Sequence, residues 1–101
     1  MKITVKGIRF PKKGDTALRR DPRTRAVASV VLDDAFIINE IRVCQGRHRL
    51  CVVFAENPYP IHVDRPEYVV VPTTMEVRRQ IEDVVLSRYY AAIKTRVQAA
   101  D

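Results

Sequence analysis

The sequence predicts an α+β fold, an antiparallel β-sheet meander packed against a C-terminal helix. Two patterns and one ordering carry that expectation. Apolar residues alternate at period two through the first half, and the last quarter switches to steps of three and four. Strands precede the helix, which favours a sheet with helix on one face. The 101 residues fit one domain over 1–101. A domain of this size buries only roughly two-thirds of its unfolded surface. Its core is therefore modest, and a homodimer is expected as a way to enlarge it.

The first strand is read over Lys2–Phe10. Ile3 and Val5 share one phase and Ile8 and Phe10 the other, with Gly7 between, so a bulge is expected there. Pro11–Arg25 has two prolines, one glycine and few apolar residues, and reads as a long loop. The second strand is Arg25–Asp33 and the third Phe36–Cys44, joined tightly at Asp33-Asp34 as an antiparallel hairpin. Gln45–Arg49 is the next turn and Leu50–Ala55 the fourth strand. Residues 56–66 hold three prolines, which rules out a central strand. Glu67–Val71 reads as a short fifth strand ended by Pro72.

Thr73 and Glu76 then form a capping-box pattern. From there to about Ala99, Val77, Ile81, Val84, Val85, Ala92 and Ile93 form one apolar helical stripe. Ser87-Arg88-Tyr89-Tyr90 is a candidate interruption, so the helix is either one long element or two short ones.

The formal net charge is +6. Residues 1–25 hold nine Lys and Arg against Asp15 and Asp21, and the remainder is nearly neutral. A basic domain of this kind tends to meet polyanions. A flexible basic arm neutralises phosphates and releases counterions, and arginine adds bidentate geometry. The candidate nucleic-acid contacts in the arm are Lys12, Lys13, Arg19, Arg20, Arg23 and Arg25. Beyond it they are Arg47 and Arg49 around His48, then Arg65, Arg78 and Arg79. Arg78 and Arg79 fall at a helix start, where unpaired amides favour phosphate. The competing reading is ordinary solvated charge, with Glu82 and Asp83 as partners one turn on. Tyr59 and Tyr68 read first as packing residues and second as base-stacking surfaces.

Reactive constellations are absent from the sequence. His48 and His62 lie far apart, and Cys44 and Cys51 flank a turn without metal-ligand spacing. The cysteines read as small buried apolar residues, with a redox role conceivable if they face each other across the hairpin. Asp33-Asp34 reads as a turn rather than a catalytic pair. No glycine-rich phosphate loop, GxSxG or HExxH occurs. The expectation is a protein that is not an enzyme, with no metal, cofactor or small-molecule substrate. The N-terminus lacks a secretory h-region, and no apolar run approaches the ~20 residues that span a bilayer. A cytoplasmic protein without a membrane partner is expected.

The stretch from Arg25 to Gly46, RAVASVVLDDAFIINEIRVCQG, resembles the SpoVG family. Ala26, Ala28, Ser29, Asp33, Phe36, Ile41, Arg42, Val43 and Gly46 fall on the family's central pattern. The opening Met1-Lys2-Ile3-Thr4 is similar to family starts. Pro72, two small polar residues, Arg78 and Ile81 through Tyr89 resemble its later pattern, with Arg78 at or beside an arginine position. The resemblance implies a dimeric sheet-plus-helix regulator that binds DNA, and in some members RNA. Two departures stand out. Phe54-Ala55-Glu56-Asn57-Pro58 replaces a short basic run after the fourth strand, and the insertion between Phe10 and Arg25 is longer and more basic than usual. The functional expectation is regulatory nucleic-acid binding. The alternative is a protein-interaction regulator of septation or cell division without nucleic-acid contact.

Overall fold

The computed structural model describes residues 1–57, 59, 61, 64 and 67–100, the last four of these by backbone alone. Four strands and two helices follow in the order β1 (Ile3–Arg9), α1 (Thr16–Arg20), β2 (Thr24–Leu32), β3 (Phe36–Gln45), β4 (Leu50–Val53) and α2 (Met75–Ala100). The strands pair antiparallel in sequence order, β1-β2-β3-β4. The expected α+β meander with its C-terminal helix is the observed architecture.

One face of the sheet carries the core. Ala26, Ala28 and Val30 of β2, Ile38, Ile41 and Val43 of β3, and Val52 of β4 are buried against Ile81, Val85 and Tyr89 of α2. The three helix residues recur at four-residue steps and so lie on one stripe. Full burial of each aliphatic side chain contributes roughly 1.5–3 kcal/mol. Tyr89 belongs to this stripe, and its ring also approaches Phe10 at 6.0 Å between centroids. The segment Ser87–Tyr90 therefore continues the helix rather than breaking it, and α2 is one element.

Three irregularities keep apolar residues on that face. In β1 the register steps between Val5 and Gly7, with Lys6 as the extra residue. The step brings Ile3, Val5, Ile8 and Phe10 onto the same core despite their change of phase. In β2 the extra residue is Arg25, between Thr24 and Ala26. In β3 it falls between Ile38 and Ile41, where Glu40 adopts φ 59°. The β2–β3 turn has Asp33 and Asp34 at φ 52° and 54°, and the Ala35 amide donates to the Leu32 carbonyl at 2.9 Å. Left-handed backbone at both central positions suits the twist of a tight hairpin, and Asp tolerates it.

Several sequence expectations are corrected. The Pro11–Arg25 loop contains α1, a single turn anchored by one buried residue, Ala17. β4 ends at Val53, and Phe54 is buried outside the strand. The fifth strand expected over Glu67–Val71 reduces to an isolated bridge between Glu56 and Tyr68. Beside that bridge the Val69 amide donates to the Ala55 carbonyl at 2.9 Å, while the Val69 and Val71 side chains stay exposed. The helix cap shifts by one residue: Thr74 Oγ1 accepts from the Val77 amide at 3.2 Å, so Thr73 and Glu76 do not form the capping box.

Glu40 holds a left-handed conformation that costs a residue with a Cβ roughly 1–2 kcal/mol, part of which glycine's extra chain entropy offsets. Glu40→Gly is expected to raise unfolding stability by about 0.5–1 kcal/mol. Urea unfolding checks this; a loss of stability would show that the Glu40 side chain holds the bulge in place.

Candidate nucleic-acid interface

The basic arm between β1 and β2 is ordered by its own two acids. Asp15 caps α1 by accepting from the Ala17 amide at 2.9 Å and forms an ion pair with Arg9. Asp21 accepts from Arg23 three times: from the main-chain amide at 2.9 Å and from Nε and Nη2 at 3.0 Å each. The Ala17 amide, with help from Arg9, holds the Asp15 carboxyl below its ordinary 3.8 against the opposing effect of burial. The side-chain bonds from Arg23 lower Asp21 in the same way, and Asp21 raises Arg23 in return. Thr24, 2% exposed, ties the arm to the sheet. Its hydroxyl donates to the Ala17 carbonyl at 3.4 Å and lies 3.8 Å from Cys44 Sγ.

These pairs leave a surplus. Of the nine basic residues in 1–25, Lys2, Arg9 and Arg23 are ion-paired, with Asp34, Asp15 and Asp21. Lys6, Lys12, Lys13, Arg19, Arg20 and Arg25 make no ion pair among the described residues. All six are exposed.

Topology places the arm beside the second basic connection. In an up-and-down antiparallel sheet the β1–β2 and β3–β4 connections lie at the same end. The Gln45 amide donates to the Arg23 carbonyl at 2.9 Å, which fastens the end of β3 to the end of the arm. Arg47 and Arg49, both exposed, therefore share that end with the arm. The β2–β3 turn with Asp33 and Asp34 lies at the other end. Arg49 also shares a shallow concavity with Arg78 and Arg79, beside Glu82 and Asp83.

Arg78 is engaged within the fold. Its Nε meets Glu82 Oε1 at 2.9 Å, Nη2 donates to the Val52 carbonyl at 3.5 Å, and the guanidinium lies 5.8 Å from the Phe54 ring centroid. It pins the start of α2 to β4, whereas Arg79 is exposed without an ion pair among the described residues. Arg65 lies outside the described residues. Tyr59 is 87% exposed and does not pack as expected, whereas Tyr68, 38% exposed, lines a concavity with Val52 and Phe54 as a rim residue would.

Arg42 was not among the sequence candidates. It is half-buried on the sheet face away from α2 and lines a cleft with Arg9, Arg20 and Glu40. A neighbouring concavity joins Arg20 and Arg42 to Asp21, Glu56 and Asn57. Its alternation with Ile41 and Val43 was the available signal; the docking of α1 above it was not readable. Among the described residues no three His, Cys, Asp or Glu gather as metal ligands would. No helix among them is long and apolar enough to cross a membrane, which says nothing of β-barrels.

A model of the SpoVG family matches residues 2–91. The chain belongs to the SpoVG family. Among its relatives is a Bacillus subtilis (strain 168) protein named "Putative septation protein SpoVG", 35% identical over 79 residues, covering 75% of this chain and 79% of the relative. A Listeria monocytogenes serotype 4b protein of the same name with the suffix 2 is 37% identical over 79 residues, 74% of each chain. A Staphylococcus carnosus relative is 32% identical over 81 residues, covering 77% of this chain and 74% of its own. In this SpoVG-family chain, Glu56 and Asn57 of the loop after β4 line the same concavity as Arg20 of α1.

The lowered Asp15 and Asp21 carboxyls set an acid response. A depressed folded value contributes stability at pH above the ordinary 3.8 and loses it as pH falls through the folded value. Exchange protection of the Ala17 and Arg23 amides, corrected for intrinsic rate, is expected to fall below about pH 4, before that of Ile41 and Val43. Simultaneous loss across arm and sheet would contradict a locally stapled arm.

Proposed function

We propose that this SpoVG-family chain is a non-enzymatic regulator that binds the phosphate backbone of DNA or RNA as a homodimer. The observation that carries the reading is the gathering, at one end of the sheet, of cations that make no ion pair among the described residues. Lys12, Lys13, Arg19, Arg20 and Arg25 from the arm stand with Arg47 and Arg49 from the β3–β4 turn. Glu40 and Glu56 line the Arg42 side, so the exposed arm supplies the positive surplus rather than the cleft. Contacts of this type provide affinity and register, with little reading of bases. The exposed apolar residues Phe36 and Ile37, 73% and 46% exposed, lie away from the basic end and give a dimer somewhere to form without blocking it. The protein acts in the cytoplasm under this reading.

The test is binding to short duplex DNA and to single-stranded RNA across a salt series. Affinity should fall with salt, with a log–log slope near −0.9 per neutralised phosphate on duplex. Replacing Arg19, Arg20, Arg23 and Arg25 together by Ala should remove most binding and flatten the slope. Arg23 should contribute least, because Asp21 already holds it. Sedimentation of the free protein at micromolar concentration should give the mass of two chains. Salt-insensitive binding, or an unaffected quadruple variant, would contradict the reading.

The septation name of the relatives favours a second reading, in which the same cations dock on an acidic protein partner. A partner captured with the purified chain and retained after nuclease treatment would favour it.

A further inference from the structure

The two cysteines stand directly opposite each other. Cys44 of β3 pairs with Cys51 of β4 in the antiparallel register, so both side chains leave the same face of the sheet. Opposed residues in such a pair have Cα atoms ~4.5–5.5 Å apart, inside the ~4.4–6.8 Å span a disulfide bridges. Both are thiols here. Their sulfurs turn apart: Cys44 Sγ toward Thr24 Oγ1 at 3.8 Å, and Cys51 Sγ toward the Arg49 carbonyl at 3.7 Å. Side-chain rotation is the main movement that separates them from bonding. Gly46 leaves the space Cys51 Sγ occupies, since a Cβ there would stand 2.9 Å from that sulfur and 2.7 Å from the Arg49 oxygen.

We propose that Cys44 and Cys51 are a peroxide-oxidised modification site that closes to a cross-strand disulfide. Cys51 is half-buried and Cys44 is 3% exposed, so the roles divide. The Cys51 thiolate attacks one oxygen of a hydroperoxide. The O–O bond breaks, the other oxygen leaves as alcohol or water after taking a proton, and Cys51 becomes a sulfenic acid. The deprotonated Cys44 sulfur then attacks Cys51 sulfur, the S–O bond breaks, and water leaves with the proton Cys44 gave up. Two thiols lose two electrons and two protons, and the hydroperoxide is reduced. Closure draws Cys44 Sγ away from Thr24, whose hydroxyl is the link from the sheet to Ala17 of α1. The bond formation itself stands apart from the nucleic-acid reading.

The intact chain is treated with hydrogen peroxide, then denatured and alkylated without reductant. The expected product is a single chain lighter by two hydrogens, with no alkylated cysteine, restored to two thiols by dithiothreitol. In Cys44→Ser, Cys51 should be trapped by dimedone as the sulfenic acid. In Cys51→Ser, Cys44 should remain a thiol at the same dose. Two alkylated thiols at a dose that oxidises free cysteine would overturn the proposal. So would Cys51 oxidised to sulfinic acid beside an unreacted Cys44, or a disulfide between two chains.

Discussion

Alternate connections of an up-and-down antiparallel sheet lie at the same end, and this constraint organises the whole molecule. The order β1-β2-β3-β4 sends the long insertion and the Gly46–Arg49 turn to one end and the Asp33-Asp34 turn to the other. Charge segregated along the sequence therefore becomes charge segregated in space. No long-range contact between basic residues is needed for this. The sheet holds its register because α2 seals one face with Ile81, Val85 and Tyr89, and a slip by one residue would turn Ala26, Ala28 and Val30 outward.

Order in the arm comes from several small terms, to which its two exposed ion pairs add little beyond the backbone bonds of the same acids. Exposed pairs are typically worth about 0–1 kcal/mol, and the Arg9 and Arg23 side chains are more than half exposed. Burial of Ala17, the Asp15 cap and the Thr24 hydroxyl add directional contacts to the sheet. The two acids thus serve the arm's shape and leave its outward cations unneutralised. This division of labour is what makes Arg19 and Arg20, in the last turn of α1, better placed for a ligand than Arg23.

Much of the fold was legible because alternation and turn chemistry are local signals. The change of phase around Gly7 marked the β1 bulge, and Asp33-Asp34 marked the hairpin. The bulge at Glu40 carried a similar change of phase, from Phe36 and Ile38 to Ile41 and Val43, but no glycine punctuated it, and the bulge at Arg25 sits at the start of its strand with no phase before it to change. α1 was hidden because one turn with one buried alanine has no periodicity to detect. Val69-Val70-Val71 looked like a strand because β-branched residues favour one, yet among the described residues backbone pairing reaches only Val69, whose amide donates to the Ala55 carbonyl. For the site, the excess of cations in 1–25 was visible by counting. Which of the chain's cations are engaged within the fold was not, because Arg78 with Val52 and Phe54, and Arg42 beneath α1, are products of tertiary packing.

The central claim is that one end of the sheet, and not the other, meets a polyanion. Backbone amide shifts of the labelled protein, followed during titration with a short DNA duplex at low salt, test it most directly. The account predicts shifts concentrated in residues 12–25 and 46–49, with Asp33–Ile37 unmoved and the changes reversed by added salt. Shifts centred on Asp33–Ile37, or none at any ratio of duplex to protein, would contradict it.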